Sequence, residues 1–270
     1  MATALRPMNV SELLDRTFFL YRKHFIVFVG IVAIPYLFLL LFQLAFIIFR
    51  FSVSPIASIV SSLALVAIYL AAITASQAAT IVAVSDVHLG RSASIGVAFA
   101  GIKENWLEIV FTIIFMGFGV LLGLICLIVP GIFLAIAWSL AIPAAVIESK
   151  GPFDSMRRSF ALTKGSRLRI SVALLLISML AYVIMLIFQL PVLAVMVIRS
   201  LQNLQIVPVW LTVLNQIGSF VSSCLAVPLS TIAVSLIYYD QRVRKEGFDL
   251  QLMMSSLKSG QNPQSASKVF

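Results

Sequence analysis

The sequence predicts an all-α membrane protein with six transmembrane helices and three amphipathic helices at the cytoplasmic interface. Three observations carry this. Apolar residues make up 61% of the 270 residues and charged residues only 11%, with a mean hydropathy of +1.09. A soluble chain is about 45–50% apolar and about 25% charged, and a water-soluble fold of this size could not hide so much apolar surface. The charged residues are also gathered into short segments, with long charge-free stretches between them. Finally, basic residues are plentiful in every second segment and scarce in the others. This composition disfavours a soluble enzyme, a nucleic-acid module and a disordered scaffold. The net charge of +9 would suggest a nucleic-acid partner in a soluble chain. In a membrane protein it records orientation instead, and no nucleic-acid partner is expected.

Lys, Arg, Asp and Glu are absent from Phe25–Phe49, Phe51–Ser85, Ile109–Ile147, Ile170–Ile198 and Ser200–Tyr239. A bilayer core of about 30 Å needs about 20 helical residues. Phe25–Phe49 is therefore one span, too long for the apolar region of a signal peptide. The second stretch opens with a short loop at Ser52, Ser54 and Pro55, which leaves a span near Ile59–Val84. The third is nearly twice what one crossing needs, and its middle reads Val129-Pro130-Gly131, a helix stop followed by a turn residue. A hairpin of two spans, Ile109–Val129 and Ile132–Ile147, is expected there. The fourth stretch is one long span beginning near Ile170, with a bend expected at Pro191. The fifth begins with a polar run, Ser200 to Gln205, so its span runs from Trp210 or Val213 to Tyr238.

Six crossings put the basic segments 1–24, 86–108, 148–169 and the C-terminal tail on one side, leaving only Arg50 and Arg199 in the opposite loops. Positive residues favour the cytoplasm. The N- and C-termini are therefore expected to be cytoplasmic, in a multi-pass plasma (inner) membrane protein. Residues 1–252 read as one polytopic membrane domain and 253–270 as a flexible polar C-terminal tail.

The basic segments resemble one another. Leu14, Thr17, Phe18, Tyr21 and Phe25 lie on one helical face, and the same spacing selects Ile95, Ala98, Phe99, Ile102 and Trp106. It then selects Met156, Ser159, Phe160, Thr163 and Arg167. Asn9 with Glu12 suits the start of the first such helix, and Pro152 after Gly151 the start of the third. The return spans share an acid at their ends, Asp86, Glu148 and Asp240. A threefold internal repeat of interfacial helix, span and return span is the reading that follows.

Buried ionisable groups in a membrane mark proton relays and ion sites, and the predicted spans hold none near mid-bilayer. Cys126 and Cys224 read as packing residues. His24 and His88 sit at the predicted interface, without metal-ligand spacing. Catalytic and phosphate-binding motifs are missing, so neither an enzyme nor a cofactor is expected. Two candidate sites remain. Arg157, Arg158, Lys164, Arg167 and Arg169 are candidate contacts for anionic inner-leaflet lipids. Gln77, Asn215 and Gln216 are candidates for an intramembrane polar path. Gly119 and Gly123, at GxxxG spacing, allow close helix approach, and Pro35, Pro143 and Pro228 would each bend a span.

Ser11-Glu12-Leu13-Leu14-Asp15-Arg16-Thr17-Phe18-Phe19-Leu20-Tyr21-Arg22-Lys23-His24-Phe25, the run Ala144 to Glu148 continuing to Arg157-Arg158-Ser159-Phe160, and Tyr238 to Leu250 together resemble the membrane-domain family of glycerophosphoryl diester phosphodiesterases. The resemblance implies a polytopic α-helical domain in a prokaryotic plasma membrane. In some relatives such a domain precedes a catalytic barrel. Only a Ser/Gln-rich tail follows Leu252, so the catalytic half is expected to be absent, and the family has no catalytic motif to carry across. The expected role is that of a non-enzymatic, lipid-interacting or scaffold protein with possible membrane-protein partners. The alternative is a transporter or lipid-moving protein for an amphiphilic solute.

Overall fold

The computed structural model describes residues 8–49, 55–88, 90–202 and 208–247. Arg6, Arg50, Ser52 and Ser54, the polar residues Asn203 to Gln205, Lys258 and Lys268, and the expected tail at 253–270 lie outside the described residues. Within them the chain forms ten helices and no strand: α1 (Val10–Lys23), α2 (Phe25–Phe49), α3 (Pro55–His88), α4 (Ile95–Ala100), α5 (Trp106–Cys126), α6 (Ile128–Ala137), α7 (Ala141–Glu148), α8 (Pro152–Thr163), α9 (Arg167–Leu201) and α10 (Val209–Glu246). Six segments are long and apolar enough to cross a membrane: Phe25–Ile47, Ile59–His88, Trp106–Cys126, Ile128–Glu148, Arg167–Leu201 and Val209–Glu246. They match the six expected spans. The reason is general: without water in the bilayer core, each backbone amide and carbonyl must be bonded inside its own helix.

The boundaries differ in instructive places. Pro55, expected in a loop, starts α3, where its missing N–H costs nothing. The hairpin turn falls at Leu127, the one extended residue between α5 and α6 (φ −163°, ψ 143°), and not at Pro130-Gly131. Pro130 sits in the first turn of α6, where a fixed φ is tolerated for the same reason. Gly131 packs instead of turning: a Cβ there would lie 2.5 Å from Leu124, and one on Gly123 would lie 3.0 Å from the Gly131 Cα. The Gly119 position is as tight, with Trp138 within 2.6 Å of its missing Cβ. The glycine spacing thus lets two helix backbones approach closely, as small residues do in membranes. The fourth span is not one helix either. It breaks at Trp138-Ser139-Leu140 into α6 and α7, and Pro143 lies in the first turn of the second piece.

The core gathers around α10, the most buried of the six segments. Ile232, Leu236, Ile237 and Tyr238 of α10 pack with Ala78, Ala79 and Ala83 of α3, Ala144 and Ala145 of α7, and Phe28 and Ile31 of α2. Alanine on the facing helices lets the large α10 side chains fill the gap between backbones. The outer faces are equally apolar, with Phe38, Ile125, Leu175 and Ile187 all exposed. In water that much exposed apolar surface would be an aggregation liability; against lipid it is ordinary.

The three short helices meet the bundle at one end. α1 buries Leu13, Thr17 and Leu20; its Asn9 N–H donates to Glu12 Oε2 at 3.0 Å, closing the expected start. Its far end reaches along α10, where the Tyr21 hydroxyl donates to the Leu225 carbonyl at 3.1 Å. α4 buries Ala98 against the bundle. α8 begins with Pro152 in its first turn and seats itself against the hairpin, with Phe153 on Phe115 and Phe160 on Phe133.

Candidate functional site

At the charged end, two acids organise the polar contacts. Asp240, its side chain only 1% exposed, accepts the Met8 N–H at 2.8 Å. It also pairs with Arg169 Nη1 and Arg244 Nε, each at 3.0 Å. Arg244 and Arg169 both donate back to the Met8 carbonyl, so the entry to α1 is clamped onto the end of α10. Glu148, at the end of α7, holds Lys150 at 2.7 Å and Arg158 at 2.9 Å, and accepts the Tyr238 hydroxyl at 2.5 Å. Arg158 reaches Glu246 as well, at 2.5 Å. Burial alone would lower the Arg158 pKa, but hydrogen bonds and charge from Glu246 and Glu148 hold it above its ordinary value. Among the described residues Asp86, the third acid of the series, pairs with exposed Arg91 alone, at 3.9 Å.

The five basic candidates therefore do different things. Arg158 and Arg169 are occupied by these ion pairs. Exposed Arg157 shares an open cavity of about 350 Å³ with Lys150, Asp154, Arg158 and Ala161. Exposed Lys164 gives its carbonyl to Lys245 Nζ at 2.6 Å. The Arg167 guanidinium lies between the rings of Phe133 and Phe160, 4.3 and 4.5 Å from their centroids.

Away from the charged end, a groove of about 410 Å³ lies along α10, walled by α9 and the middle of α3. Its rim residues Tyr182 and Met185 are exposed, so it opens sideways. Serines dominate its floor. Ser178, Ser222, Ser230 and Thr231 return their hydroxyls to carbonyls of their own helices, at 2.7–3.0 Å, the usual arrangement for hydroxyls on apolar helices. The Gln77 carboxamide and the side chains of Ser219, Ser223 and Tyr182 make no hydrogen bond among the described residues. The three polar-path candidates are separated: Gln77 lines this groove, Gln216 lines a smaller cavity of about 60 Å³ with Tyr36, Gln43 and Tyr69, and Asn215 lines neither. Ser219 and Ser223 line both cavities. Which polar residues share a cavity depends on helix rotation, which composition does not encode.

Cys126 is exposed and Cys224 buried. The His88 ring stacks on Tyr239 at 4.6 Å. Among the described residues no three His, Cys, Asp or Glu side chains converge on a metal position. Sequence reasoning missed Tyr238, Met8 and Lys245 as members of the charged end. The adjacent pair Tyr238-Tyr239, directly before Asp240, was the available signal. No family model, curated protein or solved structure matches the chain. Six helical segments long and apolar enough to cross a membrane are compatible with a multi-pass integral membrane protein.

Proposed function

We propose that this is a non-enzymatic plasma-membrane protein, with both termini cytoplasmic, that binds a neutral amphiphile in the groove along α10. The observation that carries this reading is the half-buried Gln77 carboxamide, which has no hydrogen-bond partner among the described residues and lines a groove that opens sideways. An amide facing hydrocarbon without a partner costs about 1–3 kcal/mol, and a hydroxyl or carbonyl on a lipid-like molecule would satisfy it. The groove lining has no carboxylate, ammonium or guanidinium, which favours an uncharged head, and exposed apolar residues of α9 continue from its rim to receive a chain. The proposal keeps the membrane domain implied by the resemblance to the phosphodiesterase family and assigns no phosphodiesterase activity to this chain. It also keeps the threefold repeat. The equivalent positions Thr17, Ala98 and Ser159 are all buried, and each acid of the series holds a basic partner.

The test is lipid extraction from the purified protein. Wild type should retain a neutral lipid that Gln77→Leu and Ser223→Leu lose. Equal retention by all three would sink the groove reading and leave a scaffold role for membrane-protein partners. A lipid-moving role is the second reading. It is favoured by the smaller cavity on another side of α10, which shares Ser219 and Ser223 with the groove.

A further inference from the structure

Arg167 carries a permanent charge whose partner is missing. Its Nε and Nη2 are buried and have no hydrogen-bond partner among the described residues, although the guanidinium normally claims acceptors for its five N–H bonds. Phe133 from α6 and Phe160 from α8 hold it in place by their faces. Stacking of this kind stabilises the cation and fixes the guanidinium plane, but it supplies no acceptor. An unpartnered buried donor of this sort usually marks a ligand, ion or water.

The surroundings identify the missing partner. Lys164 follows α8 directly, and Lys245 Nζ is tied to the carbonyls of Ala161 and Lys164, near enough to Arg167 and Lys164 to feel the charge of both. Among the described residues, no carboxylate pairs with any of these three cations, in contrast to Arg158, Arg169, Arg242 and Arg244. The group therefore carries uncompensated positive charge. Beside it lies exposed apolar surface, with Phe133, Phe160 and Leu168 open to the outside. A positive group bordered by apolar surface fits a molecule that joins an anion to hydrocarbon. We propose that Arg167, Lys164 and Lys245 bind the phosphate of an anionic phospholipid, with its acyl chains along the Phe133 and Phe160 side. The planar Arg fork matches phosphate oxygens in a way that a Lys ammonium cannot. The site rests on the reading of the chain as a membrane protein, but it is separate from the groove and takes a different lipid.

The experiment uses the full chain in nanodiscs of mixed phosphatidylcholine and phosphatidylglycerol, with retained lipids counted by native mass spectrometry. Wild type should retain phosphatidylglycerol in preference to phosphatidylcholine. Arg167→Gln should weaken that retention by about tenfold or more, the loss expected for a charge-assisted contact. Arg167→Lys should not restore it. Arg157→Gln, which removes an exposed charge of the other cavity, should leave it unchanged. Equal loss in Arg157→Gln and Arg167→Gln would reduce the site to general surface attraction and overturn the proposal. So would unchanged retention in Arg167→Gln. Displacement of the lipid by inorganic phosphate alone would reassign the site to free phosphate. If Arg167→Gln fails to fold, the paired variant Lys164→Gln with Lys245→Gln decides in the same assay. Gln77→Leu should not alter phosphatidylglycerol retention, so failure of the groove and failure of this site are distinguishable.

Discussion

The Ser159 hydroxyl donates to the Ala137 carbonyl at 2.8 Å and accepts the Leu140 N–H at 3.1 Å. One side chain of α8 thus satisfies two backbone groups that the break between α6 and α7 frees, and Thr163 adds a second hydroxyl to the same carbonyl at 3.3 Å. In a bilayer such freed groups must find partners inside the protein. Ser159→Ala should lower the unfolding midpoint in detergent, by an amount corresponding to about 1–3 kcal/mol for a buried group left unsatisfied. Thr163→Ala should cost less, because Ser159 still holds the carbonyl. Equal midpoints for wild type and Ser159→Ala would show that the break is satisfied some other way.

The hairpin supplies a steric test. At Gly131 an added methyl would lie 2.6 Å from the Leu124 backbone nitrogen, and backbone cannot move aside as a side-chain tip can. Gly131→Ala should therefore destabilise the protein by about 1–3 kcal/mol, as overpacking does. Gly117 has no atom within 4 Å of its missing Cβ. Gly117→Ala should be neutral, or stabilising by up to about 1 kcal/mol from helix propensity. Thermal unfolding of the two variants side by side checks the contrast.

The two acids at the ends of α3 and α10 should behave differently despite their equivalent places in the sequence. Asp240 is buried and bound to Met8, Arg169 and Arg244. Replacing it with Asn strands two guanidinium groups, and removing one partner of a buried pair costs about 3–5 kcal/mol. Because Arg169 and Arg244 are partly exposed and Asn can still accept the Met8 N–H, the lower end, about 3 kcal/mol, is expected. Among the described residues Asp86→Asn removes just a long contact to exposed Arg91, worth about 0–1 kcal/mol. Comparable losses for the two variants would contradict the clamp at Asp240.

These tests follow a divide between what was and was not readable in the chain. The apolar segments were legible because a bilayer imposes length and composition on each helix separately. The acids Glu148 and Asp240 stood out at the ends of apolar runs for the same reason. Their partners did not, because Tyr238 reaches Glu148 across 90 positions and Met8 reaches Asp240 across 232. The break at Trp138 to Leu140 lies one turn before Pro143, which has no N–H to offer the Ser139 carbonyl and whose ring crowds it, so its place was legible; that Ser159 and Thr163 of another helix bond the groups it frees was not. Local punctuation at Pro130-Gly131 pointed to the wrong turn, since proline in a first helical turn and glycine at a close contact look alike in sequence. Arg167 read as one of five similar cations. Only the approach of Phe133 and Phe160 sets it apart.

The orientation read from the basic residues is open to direct labelling. Val129, two residues past the Leu127 turn, is exposed; Arg91, beside the end of α3, is exposed as well. They lie at opposite ends of the spans they adjoin, so a single cysteine at each reports a different side. Cys126 is itself exposed near the turn and must first be replaced, together with Cys224. In intact cells a membrane-impermeant maleimide should label Val129→Cys and should reach Arg91→Cys only after permeabilisation. Phe160→Cys should follow Arg91→Cys. The physical basis is that basic residues resist transfer across the membrane, and Arg91, Lys150 and the α8 cations share one side in the six-span arrangement. Labelling of Phe160→Cys from outside would reverse the orientation. Labelling of Arg91→Cys and Phe160→Cys on different sides would mean that the α5–α6–α7 segment does not cross and return, and the number of crossings would have to change with it.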